Sequence, residues 1–187
     1  MRLTARRIVD VPKGVVTAAL GAPYKFNPSQ GITLAGTSAD MAGGGGFGWK
    51  SVEQTDDTSV AIPMLQTFRD FERHLGTEHE TEIVWAWRRW ARTATDVGNQ
   101  TPVVQGMFDA ESTVADARAA ATAVHHRQGH SGVNGSLMRT APMGIMDTLA
   151  PANLFSPSHT VSTVVHTARA LSDLTHYDQD AGDACVL

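Results

Sequence analysis

Thr55-Asp56-Asp57-Thr58 sets two adjacent carboxylates between hydroxyls, just ahead of an apolar run. An all-oxygen cluster of this kind suits hard cations such as Mg²⁺ and Mn²⁺. The same residues also suit a helix start, because Thr and Asp cap helices and first-turn carboxylates complement the helix dipole. The motif alone leaves both readings open.

Other polar groups fall at turns. Asn134-Gly135-Ser136-Leu137-Met138-Arg139 joins a glycine to an amide, a hydroxyl and a guanidinium. Backbone N–H groups at such a turn can hold phosphate or sugar oxygens; the ordinary alternative is a glycine loop entering a helix, with Ser136 as its cap. Asp96 to Thr101 reads as an Asx-type turn after a tryptophan-rich helix. His176, in Thr175-His176-Tyr177-Asp178, is either a phosphate partner or a helix-end histidine. His125, His126 and His130 point only weakly to a metal, since Gly129 interrupts the helix that would align them. Trp85, Trp87 and Trp90 read as packing residues, and Cys185 as a small buried one.

The elements that position these groups read as helical. Val60, Ile62, Met64, Leu65, Phe68, Phe71 and Leu75 follow the acidic pair at mostly helical spacing, with Pro63 near the start. Glu78 to Ala94 places Ile83, Val84, Trp87, Trp90 and Ala91 on one face. Asp109 to Arg127 opens on Asp109 and Ser112 as capping residues and puts Val114, Ala117, Ala121 and Val124 on a face. Ser158 to Leu174 does the same with Val161, Val164, Val165, Ala168 and Leu171. No segment alternates over a strand length, so the fold expected is all-α. Residues 27–54 form a glycine-rich loop region that includes Gly43 to Gly48. It lacks the spacing and lysine of a nucleotide phosphate loop. Asp178 to Asp183 reads as the acidic first turn of a further helix, whose apolar stretch begins at Ala184 and meets the chain end as though cut inside a helix.

With 187 residues, the chain is long enough for a domain with a real core, and its net charge of -4 argues against a general nucleic-acid or membrane-surface binder. A single cysteine leaves no internal disulfide, and no apolar segment has the length to span a bilayer. A cytoplasmic protein is expected.

The order of these motifs carries more than any one of them. Leu20-Gly21-Ala22-Pro23-Tyr24, Gly43 to Gly48, Thr55-Asp56-Asp57-Thr58, Asp96 to Thr101, Asn134 to Pro142 and Thr175-His176 together resemble the ADP-ribosylglycohydrolase family, of the dinitrogenase-reductase-activating type. The most specific phrase is Asn134-Gly135-Ser136-Leu137-Met138-Arg139-Thr140-Ala141-Pro142. The resemblance implies an orthogonally packed helical domain, of which residues 1–187 would be roughly the first two thirds, with two Mg²⁺ or Mn²⁺ ions in a cleft. It implies metal-dependent hydrolysis of the glycosidic bond between ADP-ribose and a protein side chain, so the partners are ADP-ribose or an ADP-ribosylated protein, with no nucleic acid and no membrane. The positions matching Thr55, Asp56 and Asp57 ligate metal, with Asp56 and Asp57 catalytic. Those matching Asn134, Gly135, Ser136, Met138 and His176 bind the ligand.

The sequence departs from that pattern near residue 20. Where the family usually reads Gly-Asp-Ala-Leu-Gly-Ala-Pro-Tyr-Glu-Phe, this chain has Ala18 for the acid and Lys25 for the glutamate. A cation at position 25 would repel bound metals. The family's later Asp-x-Asp-Thr segment is also absent, so weak metal binding and impaired hydrolysis are expected. The alternatives are a catalytically inactive ADP-ribose-binding or interaction module, or a non-functional gene fragment.

Overall fold

The computed structural model describes residues 19–25, 41, 43–70, 76–109, 111–143 and 157–187, with backbone alone at 68–70 and 157–161. The readings at Ala18, across 27–40 and on the side chains of Phe68, Phe71, Leu75 and Val161 lie outside the described residues. The described chain is all-α, as the sequence pattern implies. Its one non-helical pairing is an isolated antiparallel bridge between Gly44 and Trp49. The chain divides into two compact units, Met1–Ser59 and Val60–Leu187.

In the first unit a 3₁₀ turn, Ala22–Tyr24, precedes Lys25, and helix α1 spans Asp56–Ser59. Between them, part of the glycine-rich region folds into a defined turn. Gly44 and Trp49 exchange backbone hydrogen bonds of 2.7 and 3.0 Å, and the Phe47 ring lies 4.9 Å from that of the buried Trp49. Glycine is required at two of its positions. A Cβ on Gly43 would come within 2.4 Å of the Trp49 carbonyl oxygen, and one on Gly45 within 2.5 Å of that of Pro23; both have positive φ. The glycine run therefore lets the turn sit directly on the backbone that leads into Lys25.

The second unit contains α2 (Ala61–Asp70), α3 (Thr77–Ala91), α4 (Gln100–Gln105), α5 (Val114–Gln128), a 3₁₀ turn (Leu137–Arg139), α6 (Pro157–Ser172) and α7 (Gln179–Ala184). α2 packs on α3, α5 on both α3 and α4, and α7 on α6 and the 3₁₀ turn. The faces read from the sequence are the buried ones: Ile83, Val84 and Trp87 of α3, Val114, Ala117, Ala121 and Val124 of α5, and Ala168 and Leu171 of α6. Alanines on α5 shorten the distance at which its neighbours can pack, and Trp87 supplies the bulk opposite them. Its indole N–H donates to the Val60 carbonyl at 2.7 Å, so the largest core side chain leaves no polar atom unpaired.

One element boundary differs from the sequence reading. Asp109 and Ser112 do not cap α5. Asp109 accepts from Glu111 N–H and the Ser112 hydroxyl, closing a local turn of its own. The cap is Thr113, in a reciprocal pair with Asp116: the Asp116 carboxylate accepts from Thr113 N–H at 2.7 Å, and Thr113 Oγ accepts from Asp116 N–H at 3.4 Å. Gly129, at φ 77°, ends the helix in the left-handed conformation. α7 ends at Ala184, and the Cys185 N–H closes back on Ala181. Among the described residues no helix is long and apolar enough to cross a membrane.

Candidate functional site

The acidic pair lies at the first turn of α1. Asp56 is 5% exposed, whereas the Asp57 side chain is 46% exposed. Asp56 Oδ1 is the hub. It accepts from Lys25 Nζ at 2.6 Å and from the Asp57 N–H at 3.1 Å. The buried Thr55 hydroxyl donates to Asp57 Oδ2 at 3.0 Å, and Lys25 Nζ stands 3.9 Å from that same oxygen. Thr55 O in turn accepts from the Ser59 N–H and hydroxyl, which fixes the helix start. The motif forms the start of α1, and Lys25 is the neighbour that the motif alone did not reveal.

The second group of candidates lies in the second unit. Asn134 is exposed, Gly135 and Met138 are half-buried, and Ser136 is buried. Asn134 O accepts from Met138 N–H at 3.0 Å and Ser136 O from the Thr140 hydroxyl at 2.9 Å, so the loop turns tightly into the 3₁₀ segment. Met138 packs against the hydrophobic core. Ser136 Oγ is buried and has no hydrogen-bond partner among the described residues. An unpaired buried hydroxyl is destabilising by about 1–3 kcal/mol, so such an atom calls for a reason.

Behind this loop runs a buried chain of hydrogen bonds. Arg139, only 2% exposed, donates from one terminal nitrogen to Leu171 O at 3.0 Å and to Thr175 Oγ at 2.7 Å, and its guanidinium lies 3.9 Å from the centre of the Trp87 ring. Burial lowers its pKa to about 9, which leaves it charged at neutral pH. Thr175 Oγ accepts from Arg139, so its own proton is directed to His176 Nδ1 at 2.7 Å. That assignment makes Nδ1 the acceptor and puts the ring proton of neutral His176 on Nε2. Burial, reinforced by the nearby Arg139 charge, holds the His176 pKa down at about 3. A Cβ at position 135 would come within 2.5 Å of Nε2, so only glycine lets the loop lie against this ring. Gln100, at the start of α4, completes the brace by donating to Thr175 O at 2.7 Å.

The ADP-ribosylglycohydrolase family model matches residues 14–187. The chain belongs to the ADP-ribosylglycohydrolase family. No curated protein matches it. In this member of the family, Gly135, Ser136 and His176 form one packed group, with Met138 on its core side, while Thr55, Asp56 and Asp57 form another in the first unit. Sequence reasoning placed Gln100 and Thr175 in motifs without giving either this role, and took Arg139 as a guanidinium of the loop rather than a buried residue. The available signal was an arginine with no acidic residue near it in sequence, followed later by an adjacent threonine–histidine pair.

Asp56 and Asp57 as arranged do not fit the two divalent ions that membership of the family implies. Asp56 Oδ1 already accepts from an ammonium and an amide, and Asp57 Oδ2 from a hydroxyl. Among the described residues there is no group of three or more His, Cys, Asp or Glu side chains suited to a metal ion, whereas Mg²⁺ in proteins prefers a near-octahedral set of oxygens.

The histidines on α5 are placed elsewhere. His125 Nδ1 lies 2.9 Å from Ser131 Oγ and 3.5 Å from Asp178 Oδ2, and Ser131 Oγ donates to Tyr177 O. Asp178 also accepts from Ser131 N–H at 2.8 Å and caps α7 through Asp180 N–H. This cluster ties the C-terminal end of α5 to the segment that carries His176.

Proposed function

We propose that this chain binds ADP-ribose through the Asn134–Met138 loop and His176 and hydrolyses its glycosidic bond to a protein side chain, at a rate limited by the arrangement at Asp56 and Asp57. In the reaction the bond from the anomeric ribose carbon to the side chain breaks and a water oxygen bonds to that carbon. The water gives one proton to the leaving group and keeps the other. The developing positive charge on the sugar is oxocarbenium-like, so a carboxylate beside it is stabilising. Within the first unit, Asp57 is the more exposed of the acidic pair and the one whose carboxylate is open to such a role. Asp56, fixed by Lys25, positions Asp57 through the Asp57 N–H.

The observation that carries the reading is Ser136 Oγ, buried and without a hydrogen-bond partner among the described residues, beside a histidine whose Nε2 faces the same glycine. A ligand oxygen seated there would satisfy a hydroxyl that has no partner among the described residues. Ser136→Ala separates this reading from a structural one. It removes an unsatisfied group, so thermal stability should hold or rise, while ADP-ribose affinity measured by calorimetry should fall about tenfold. Equal affinity in wild type and variant would remove Ser136 from the site. Release of ADP-ribose from a modified arginine or serine substrate tests the chemistry, and Asp57→Asn should abolish it.

A further inference from the structure

We propose that the Lys25 ammonium is a built-in cation that takes the place of a divalent metal ion at Asp56 and Asp57, so that the native chain takes up neither Mg²⁺ nor Mn²⁺ there. This rests on Asp56 and Asp57 being the acidic pair of the functional reading above.

The geometry is specific. Nζ sits 2.6 Å from Asp56 Oδ1 and 3.9 Å from Asp57 Oδ2, so a single positive centre lies against both carboxylates. A Mg²⁺ ion binds oxygen at about 2.1 Å, which puts an ion on the same side of Oδ1 in collision with Nζ. Asp56 is almost fully buried, which leaves few other approaches to it. Electrostatics work in the same direction. The two carboxylates carry two negative charges and the lysine offsets one, so an incoming dication meets half the attraction and a like charge as well.

The position of the lysine is built into the fold of the first unit. Lys25 N–H closes on Ala22 O at the end of the 3₁₀ turn, and the Gly45 turn rests against the Pro23 backbone two residues earlier. The stem is three-quarters buried, with a side-chain exposure of 24%. A lysine held at its base this way loses less conformational freedom on pairing than one on an open surface. The residue that sequence comparison reads as repelling metals is therefore also the residue that neutralises their ligands.

The experiment is a Mn²⁺ titration of the full chain followed by the electron paramagnetic resonance signal of the free ion, without ADP-ribose. Wild type and Lys25→Arg should leave that signal unchanged up to about 1 mM Mn²⁺, well beyond ordinary enzyme metal sites. Lys25→Met keeps the apolar stem and removes the charge; it should take up Mn²⁺ at least about tenfold more tightly than wild type. Adding Asp56→Asn to Lys25→Met should abolish the uptake. Wild-type uptake that Asp56→Asn removes would overturn the proposal, and so would a folded Lys25→Met chain that binds no Mn²⁺. Should Lys25→Met fail to fold by circular dichroism, the comparison of wild type with Asp56→Asn decides alone. The readout needs no substrate, so its failure is distinct from a failure of the Ser136 and hydrolysis tests.

Discussion

Gly135 shows how narrowly single residues are fixed around the candidate ligand loop. The ring it faces is 1% exposed and tied through Nδ1 to Thr175, so His176 cannot swing away from an added methyl. Gly135→Ala should therefore be destabilising by about 1–3 kcal/mol, the usual range for overpacking, and should lower the melting temperature by several degrees. Gly46→Ala is the control, because nothing lies within 4 Å of a Cβ there and its φ is not positive. Equal melting temperatures for the two variants would mean that the loop and His176 are not in contact. Legibility at this scale depended on the kind of interaction. The types in Asn134-Gly135-Ser136 and the adjacent carboxylates were visible as chemistry. Their partners were not, because Lys25–Asp56, Arg139–Thr175 and Gln100–Thr175 each join residues more than thirty positions apart, and a sequence carries no distance across such spans.

The helices were legible wherever a buried face repeats at three and four residues, as in α3 and α5, because periodic burial is what makes such helices stable. Their ends were less so, since several polar residues compete for the same cap. At α5, Asp109, Ser112 and Thr113 are all good caps by type. Thr113 wins because Asp116 stands three residues on and returns the bond, while Asp109 is already held by Ser112 and Glu111. Thr113→Ala should thus lower stability by about 1 kcal/mol, and Asp109→Ala by clearly less. Urea unfolding of both variants checks this, and the reverse order would restore Asp109 as the cap. α7 teaches the complementary point. It has only six residues, too short to persist on propensity alone, so what holds it is tertiary: Asp178 at its start, the Arg169–Asp183 ion pair to α6, and Ala181 and Cys185 in buried positions.

The stability of the whole chain should depend on acid through two groups that the fold holds away from their ordinary titration. His176 is kept neutral by burial, with the Arg139 charge adding to the effect, and its pKa lies at about 3 rather than 6.5. The unfolded chain takes up a proton at this residue as the pH falls through about 6.5, and the folded chain does not until about 3. Between those values the unfolded state binds more protons, so stability falls as the pH falls, by up to about 1.4 kcal/mol per pH unit, and is unaffected by this group above about 7. Asp178 works in the same direction further down. The Ser131 N–H foremost, then the Asp180 N–H and the neighbouring His125, lower its pKa below the ordinary carboxylate value. The stability it adds is complete above that ordinary value and is lost as the pH drops through the lowered one. Denaturant unfolding at a series of pH values should therefore show a decline beginning near 6.5, well before carboxylates in general titrate. His176→Gln, which keeps a hydrogen-bonding side chain but has no proton to gain, should flatten the part of the curve between about 6.5 and 4.5 while leaving the steeper acid limb. An unchanged slope in that variant would show that the decline has another source, and would take away the buried, neutral His176 on which the tautomer and the Gly135 contact both depend.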